Sequence, residues 1–264
     1  MRRVALRIAY QGKGFCGSQY QPGLRTVVGD MMRDLQTICK GKDAEWFNIK
    51  PSSRTDAGVN ALGNVVAINT EFDDNLTLLK ALNSVSDSIF YTGIADVPED
   101  FNPRYADERV YRYIMPSDGL DVDAMRKASA LFIGEHDFIR FCKPDGDKPT
   151  VMSIDSIVID ETDDHIILIF RARFFLWNMV RKISSALRSV GSGKMSIDDI
   201  EDALNGKDVQ IRAARPDALT LMEVRYRDLR FLDADQSVFR ERVEEQRFDM
   251  MLRSDFLDSL MFYR

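Results

Sequence analysis

A charged loop stands directly before a β-branched segment near residue 60. In SSRTDAGVNALGNVVAI (52–68), Arg54, Asp56 and Gly58 precede the apolar run at 65–68. An aspartate before Ala-Gly is common in turns, and a turn is the simplest interpretation. Held at the mouth of a cleft, the same carboxylate could act as a nucleophile or a base. This loop is the first candidate for chemistry.

Two other segments hold residue types that could work with such a carboxylate. RVYRYIM (109–115) alternates as a strand does and puts Tyr111 and Tyr113 on one face, where they are either core aromatics or a platform on which a base stacks. FFLWNMVRKI (174–183) puts Arg181 beside an apolar helical stripe, so its guanidinium either faces solvent or forms a buried ion pair. None of these residues identifies a function by itself.

The composition disfavours several other kinds of site. The three cysteines have no paired spacing and the two histidines lie far apart, so a disulfide framework, a zinc site or a Ser-His-Asp triad has little to build on. No apolar run approaches the roughly 20 residues of a membrane helix, and the N-terminus alternates instead of forming a signal core. We therefore expect a cytoplasmic protein that uses carboxylate, tyrosine and arginine chemistry, with no metal and no other cofactor.

Charge is distributed unevenly along the chain. The net charge is −6, but residues 1–29 hold five basic side chains and residues 171–194 hold six, both without an acid, whereas 117–170 holds twelve acids against five bases. Because screening limits each contact to about 10 Å, a local basic surface can bind a polyanion despite the net charge. We expect the two acid-free segments to line the binding surface of a nucleic acid.

Predicted strands and helices alternate in two separate sets, which indicates an α+β fold. We expect two similar-sized halves, each a β-sheet with helices, that form one continuous mixed sheet with a central active-site cleft. The PSDG turn at 116–119 is the best boundary. It gives an N-terminal half at 1–116 with the aspartate loop, a C-terminal half at 117–227 with Arg181, and a helical extension at 228–264.

Periodicity and capping residues predict the individual elements. Strands are expected near 4–10, 63–72, 88–97, 109–115, 153–159, 165–174 and 219–226. Helices are expected near 26–39 with Thr26 as N-cap, near 76–85, 121–133 and 175–190, and near 196–206 with a capping box from Ser196 to Asp199. Apolar residues expected to anchor the tail are Phe231, Val238, Phe248, Leu252, Phe256 and Leu260.

The motifs together resemble the tRNA pseudouridine synthase A family over nearly the whole chain up to about residue 227. RTDAGV (54–59) is similar to the most specific motif of that family. FNPRYADERVYRY (101–113) resembles its Phe-x-x-Arg segment ending in Tyr-x-Tyr, and FFLWNMVRKI resembles its Phe-x-x-x-Met-Val-Arg segment. RIAYQGKGFCGSQ (7–19) and GEHDF (134–138) also fit the family.

The resemblance implies an activity and a role for each matching residue. Members isomerise uridine to pseudouridine in the anticodon stem-loop of tRNA, at positions 38, 39 and/or 40, after the base has flipped out of its stack. On these matches Asp56 is the catalytic carboxylate, Tyr111 stacks on the target uracil, and Arg181 pairs with Asp56. Residues expected to bind the substrate are Arg54, Thr55, Gly58, Arg104, Arg171 and Arg173. The family also implies a homodimer that binds tRNA, without a metal, a small-molecule cofactor or a membrane.

Four positions depart from the family pattern. Ser18 stands where the family usually has tryptophan, Ser53 where glycine is common, Asn60 where histidine is frequent, and Ala218 where a glycine precedes Leu219. The resemblance implies that the chemistry is retained, because the three catalytic positions match. It leaves open which uridines are accepted.

Two alternatives remain on the sequence alone. A non-catalytic RNA-binding module would use Tyr111 and Tyr113 as a stacking platform and would bind RNA without turnover, which leaves Asp56 and Arg181 unexplained. A sugar hydrolase would need a second positioned acid, and no second motif presents one.

Overall fold

The computed structural model describes residues 1–262, so the last two residues of the predicted tail lie outside the described part of the chain. The strands are β1 (Arg2–Tyr10), β2 (Lys50–Pro51), β3 (Asn60–Thr70), β4 (Ile89–Val97), β5 (Glu108–Pro116), β6 (Gly134–Asp137), β7 (Val151–Ile154), β8 (Ser156–Glu161), β9 (His165–Ala172), β10 (Leu219–Arg225) and β11 (Leu232–Asp233). The α-helices are α1 (Val27–Ile38), α2 (Asn75–Val85), α3 (Val122–Ala130), α4 (Met179–Gly191), α5 (Ile197–Leu204) and α6 (Ser237–Phe262).

One nine-stranded sheet runs through the molecule. Its strands follow the order β11-β4-β1-β3-β10-β5-β9-β8, with β2 paired to β3, while β6 and β7 form a separate two-stranded sheet. β10 joins the two sides, because it is parallel to β3, with Thr220 opposite Asn60, and antiparallel to β5, with Leu221 opposite Tyr111. The sheet is therefore mixed, and the predicted α+β fold with one continuous sheet is confirmed.

The junction between β3 and β10 depends on a glycine. A Cβ on Gly63 would lie 2.6 Å from the carbonyl oxygen of Met222, a distance that real side chains do not adopt. Glycine allows the two backbones to approach this closely. The pairing of β3 with β10 at the centre of the sheet therefore requires a glycine at position 63.

The helices form two groups, which pack on the strands to either side of β10. α1 and α2 contact each other and β4, whereas α3 and α4 contact each other, with α3 on β8 and α4 on β5. Fully buried side chains such as Leu6, Met31, Phe170 and Ile183 belong to one core. As predicted, the Thr26 hydroxyl caps α1 by accepting a hydrogen bond from a backbone N–H of its first turn. The capping box of α5 is also present.

The prediction of a single strand at 153–159 is wrong. The chain forms β7, which pairs with β6, and then β8, which pairs with β9, with Asp155 between them. The buried positions shift by one residue at this break, from Met152 and Ile154 to Ile159. Because a strand has a period of two residues, such a shift marks the end of one strand and the start of another.

The predicted start of the helix near residue 175 is also wrong. Asn178 adopts a left-handed conformation with φ of 62°, so α4 begins at Met179, and Phe175 lies in the irregular segment before that turn. Non-glycine residues rarely adopt this conformation, and asparagine is among those that tolerate it best. The irregular turn, which apolar spacing does not reveal, becomes part of the site described below.

The tail forms α6, but its predicted distal anchors are wrong. Phe248, Leu252, Phe256 and Leu260 are between 49% and 63% exposed. The helix α6 contacts the rest of the molecule near its start, where the Arg242 guanidinium lies over the ring of Phe90, 4.1 Å from its centroid. Within residues 1–262, neither α6 nor any other helix is long and apolar enough to cross a membrane.

The division of the chain at residues 116 and 117 stays a prediction. β1, β3 and β4 lie together on one side of the sheet, and β5, β8 and β9 lie on the other. The chain thus crosses from one side to the other between β4 and β5. The two sets of strands flank β10, and the site lies between them.

Candidate active site

The loop that joins β2 to β3 carries Asp56, and buried hydrogen bonds hold it in place. Thr55 is 7% exposed, and its hydroxyl lies 2.8 Å from the hydroxyl of Tyr10. The Thr55 N–H donates to the Ser18 hydroxyl at 2.8 Å, and the Thr55 carbonyl accepts from the Ser18 N–H at 3.0 Å. Gly58 ends the loop with φ of 81°, a conformation that favours glycine. The backbone on both sides of Asp56 is therefore fixed.

Three of the four positions that depart from the family pattern support this loop. Ser18 is buried and holds Thr55, as described above. The Ser53 hydroxyl accepts a hydrogen bond from Arg109 Nε at 2.9 Å. The Asn60 side chain accepts from a backbone N–H of the 11–25 loop at 2.8 Å and donates to a backbone carbonyl just before β10 at 2.9 Å, so it links that loop to the start of β10. Ala218 ends a short 3-10 turn before β10.

The structure brings Asp56 and Arg181 together. Arg181 lies in the first turn of α4, and its Nη1 donates to Asp56 Oδ2 at 3.0 Å. The same nitrogen donates to Asn178 Oδ1 at 2.9 Å, and Nε donates to the carbonyl of Ala214 at 2.7 Å. The side chains of Arg181 and Asp56 are 16% and 27% exposed, so the pair is largely shielded from solvent. A guanidinium with several fixed acceptors is a rigid partner for a carboxylate.

Trp177 is a site residue that the sequence reasoning missed. Its indole Nε1–H donates to Asp56 Oδ1 at 2.9 Å, so each oxygen of the carboxylate has its own donor. The signal was present in the sequence, because Trp177 stands four residues before Arg181 in the same motif. It was overlooked because the segment was interpreted as helix, and a helix would not turn this side chain toward the loop.

Tyr111 lines the same cleft, whereas Tyr113 belongs to the core. The ring of Phe175 packs edge-on against Tyr111 with a centroid distance of 5.2 Å. Burial raises the pKa of the Tyr111 phenol, so the phenol is protonated at neutral pH. Tyr111 and Tyr113 are 7% and 3% exposed. They therefore do not form the open two-tyrosine platform that a simple RNA-binding module would need.

Arg109 is a second residue that the sequence reasoning missed. Its guanidinium donates to the Ser53 hydroxyl and to the carbonyls of Ser52 at 2.9 Å, Arg104 at 3.0 Å and Arg173. It is 6% exposed, and burial lowers its pKa. One buried cation thus ties the aspartate loop to the segment before β5 and to the end of β9. Its place two residues before Tyr111, the first tyrosine of the Tyr-x-Tyr pattern, was the available signal.

A cleft of about 730 Å³ opens between the two sides of the sheet at these residues. Tyr111, Trp177 and Leu219 contribute apolar surface to it. Its charged lining is mainly basic and consists of Arg54, Arg104, Arg109, Lys143, Lys148 and Arg181, with Asp56 and Asp145 as the acids. Asp145 forms an ion pair with Lys148. Among residues 1–262, no group of three or more His, Cys, Asp or Glu side chains could hold a metal ion.

Gly58, one of the predicted substrate-binding residues, ends the aspartate loop and does not line the cleft, and the other five fall into two groups. Arg54, Thr55 and Arg104 line the cleft, and the first and last of these are exposed. Arg171 instead pairs with Glu108 at 3.5 Å, and Arg173 is exposed just beyond the end of β9. A role for these residues in RNA binding stays a prediction.

The basic side chains of the acid-free segment at 1–29 are less available to bind a nucleic acid than the composition of the segment suggests. Arg2 pairs with Asp96, and Arg7 pairs with Asp233. Arg25 pairs with Asp30 at 2.8 Å, one residue beyond the end of the segment. These arginines are therefore engaged within the fold, and a nucleic acid would have to compete for their charge.

The arrangement presents one fixed carboxylate to a basic cleft with aromatic walls. A carboxylate in such a place can add to an electrophilic carbon or remove a proton. The basic lining suits a polyanion, and a partly exposed aromatic lining suits a planar base. No second carboxylate shares the cleft with Asp56 other than Asp145, which is already paired with Lys148, so the described residues do not form the paired acids of a glycosidase.

Comparisons with known proteins agree on one family. The family model described as tRNA pseudouridine synthase matches residues 128–227. The tRNA pseudouridine synthase A of Pyrococcus furiosus is 42% identical over 233 residues, which cover 87% of this chain and 85% of that protein. The protein of the same name from Pyrococcus horikoshii is 39% identical over 97% of each chain. That from Methanosarcina mazei is 35% identical over 99% of each.

Proposed function

The chain belongs to the tRNA pseudouridine synthase A family, and from that premise we propose that it converts uridine to pseudouridine at positions 38, 39 and/or 40 of tRNA, with Asp56 as the catalytic carboxylate. The observation that carries the proposal is the placement of Asp56. Its two oxygens are held by Arg181 and Trp177 at the wall of a basic cleft. The rival proposal of a non-catalytic RNA-binding module has no use for a carboxylate held in this way.

The reaction is an isomerisation, and its atoms balance without an oxidant or a reductant. The N1–C1′ bond breaks, the detached uracil turns, and a C5–C1′ bond forms. The proton on C5 is lost, and N1 gains one. Asp56 serves either by adding to the sugar or the base or by removing a sugar proton. A single carboxylate is sufficient in each case. Among residues 1–262 the only other acid that lines the cleft is Asp145, which is paired with Lys148, and this supports isomerisation over glycoside hydrolysis.

Tyr111 is the group that keeps the uracil in place. Its ring is fixed by Phe175 and lines the cleft that holds Asp56. A flat ring can retain a detached base by stacking while that base turns. Because the phenol is protonated at neutral pH, it can relay the C5 proton only by giving up its own proton as it accepts the new one.

The target uridine must leave its stack to reach Asp56. Base flipping costs a few kcal/mol, which contacts elsewhere on the RNA must offset. Arg54 and Arg104 are exposed at the cleft and are placed to bind phosphates beside the flipped nucleotide. Lys143 adds positive charge to the lining of the cleft, whereas the charge of Lys148 is paired with that of Asp145.

We also propose that the chain acts as a cytoplasmic homodimer. One face of the sheet near β8, β9 and β5 keeps apolar residues that are only half-buried, namely Ile114, Ile167 and Ile169, and beside them Val158 is 45% exposed. An antiparallel sheet can leave one face to solvent, but such a face normally carries polar residues, so an apolar one is usually covered. A second copy of the chain would cover it. Light scattering of the purified protein would distinguish a dimer from a monomer.

The test of the proposed function is to map pseudouridine in tRNA that has been incubated with the purified protein. We expect new pseudouridine at positions 38, 39 or 40 and at no other uridine. A variant with Asp56→Asn serves as the control, because it keeps the shape of the side chain. If the wild-type protein binds tRNA but forms no pseudouridine, the non-catalytic alternative is correct.

A further inference from the structure

We propose that Trp177 is a positioning residue for the catalytic carboxylate, and this inference rests on the proposed role of Asp56. The indole Nε1–H donates to Asp56 Oδ1 at 2.9 Å while Arg181 donates to Oδ2 at 3.0 Å. A donor on one oxygen alone would leave the carboxylate free to rotate about its Cβ–Cγ bond. Donors on both oxygens fix its plane. Each oxygen keeps a lone pair that can face the substrate.

The indole is itself held at the position that this role requires. The Trp177 carbonyl accepts the backbone N–H of Lys143 at 2.8 Å. The Lys143 ammonium lies over the indole, 3.9 Å from the centroid of its ring. On the other side, Asn178 has the left-handed conformation that ends the turn and begins α4. The side chain is nevertheless 46% exposed, so hydrophobic burial alone does not explain its fixed orientation.

Positioning of this kind acts on the chemical step and not on the binding of tRNA. A displacement of about 1 Å in a reacting group can reduce a rate by roughly 100-fold. For the Trp177→Phe variant, which keeps an aromatic ring but lacks the N–H, we expect the single-turnover rate to fall by about 10- to 100-fold. We expect the dissociation constant for tRNA to change by less than about threefold, because phosphate contacts dominate the affinity.

A histidine variant tests whether the N–H itself matters. An imidazole carries a ring N–H at the position that the indole Nε1–H occupies relative to Cβ. The Trp177→His variant should therefore recover most of the rate that the Trp177→Phe variant loses. The matched control is Trp46→Phe, because Trp46 is the other tryptophan of the chain and packs against Phe47 and Lys42, away from the cleft lining. It should leave the rate unchanged.

A spectroscopic measurement tests the contact without relying on activity. The chain has two tryptophans, so the indole region of a ¹⁵N–¹H spectrum holds two side-chain signals, and the Trp46→Phe variant assigns them. Replacing the acceptor by Asp56→Ala should move the Trp177 signal and leave the Trp46 signal in place. A Trp177 signal that does not move would overturn the contact.

The outcomes separate this inference from the proposed function. If the wild-type protein forms no pseudouridine, the proposed function fails, while the spectra still decide the contact. If the wild-type protein is active and the folded Trp177→Phe variant retains its full single-turnover rate, the positioning role is wrong. It is also wrong if the loss lies entirely in tRNA affinity, or if the histidine variant is folded and no faster than the phenylalanine variant.

Discussion

Replacing Arg181 by methionine should reduce turnover strongly, because it removes the charged partner of Asp56. Methionine keeps much of the length of the side chain and its packing in the first turn of α4. Truncating one member of a fully buried ion pair costs about 3–5 kcal/mol, whereas an exposed pair contributes about 0–1 kcal/mol. The Arg181 and Asp56 side chains are 16% and 27% exposed, which places this pair between these limits. We take about 2–3 kcal/mol for the interaction of the two groups. We expect the transition state to lose this stabilisation, which would reduce the rate by roughly 30- to 150-fold.

The same substitution should lower stability to a measurable extent. The Ala214 carbonyl and the Asn178 side chain each lose a donor when Arg181 is replaced. A lost hydrogen bond of this kind costs about 1 kcal/mol, so the two together cost about 2 kcal/mol. For a chain of this size, Tm should fall by roughly 4–8 °C. The variant should still fold, and its activity can be measured well below its Tm.

The assay is single-turnover release of tritium from tRNA that carries [5-³H]uridine, with Arg181→Lys as the matched control. Lysine keeps the positive charge but replaces the planar fork with a single ammonium. We expect the lysine variant to retain more of the rate than the methionine variant. Full turnover of the methionine variant would refute the proposed pair. Equal losses in the two folded variants would show that the hydrogen bonds of the planar guanidinium, and not its charge alone, are what Arg181 contributes.

Three further substitutions test the rest of the site. Asp56→Asn should abolish pseudouridine formation while tRNA affinity stays within a few-fold, and residual turnover near the wild-type rate would exclude Asp56 as the catalytic group. Tyr111→Phe should keep tRNA binding but slow the reaction by about 100-fold if the phenol relays a proton. Because burial raises the pKa of Tyr111, the wild-type rate should show no loss from its ionisation between pH 7 and about pH 9. The double variant with Arg54→Gln and Arg104→Gln should bind tRNA with a weaker dependence on salt. The slope of the logarithm of the tRNA binding constant against the logarithm of the salt concentration should flatten by roughly one to two units.

The salt experiment has two useful comparisons. Arg247 and Arg253 are exposed on α6, and replacing both by glutamine should barely change the slope. Arg171 and Arg173 would contribute roughly one to two units when replaced together if each bound one phosphate, since each contact contributes about 0.9. Because Arg171 pairs with Glu108, we expect this pair to contribute less than Arg54 and Arg104. Equal slopes for the cleft pair and the α6 pair would mean that the cleft arginines do not contact phosphate.

The sequence predicted most of the regular elements, because their apolar periods and caps are strong local signals. β1, α1 and α5 illustrate this, since alternation, Thr26 and the box from Ser196 to Asp199 mark them within a residue or two. It could not place β10 between β3 and β5. That pairing joins residues near 60 and 111 to residue 221, and no local pattern encodes such a distant contact.

The site was predictable only in part, for a similar reason. Asp56, Tyr111 and Arg181 lie in three recognisable motifs, and the structure gathers them at one cleft. Trp177 and Arg109 were missed because their roles depend on backbone geometry. The left-handed Asn178 turns Trp177 toward Asp56, and three loops meet at Arg109 only after folding. The charge pattern showed where basic residues are concentrated along the sequence, but not which of them form ion pairs within the fold. Arg2 and Arg7 demonstrate this, since both pair with acids from distant segments.

The position of β10 has a consequence for the order in which the molecule is assembled. The strand at the centre of the sheet begins at Leu219, far along the chain from β3 and β5, so both of its partners are synthesised before it. Until it arrives, β3 and β5 each present an unpaired edge, which is a site for wrong association. The aspartate loop and the arginine helix can take up their final relation only once β10 is inserted. We therefore expect a ribosome-bound chain that stops before Leu219 to contain both motifs and yet no formed cleft.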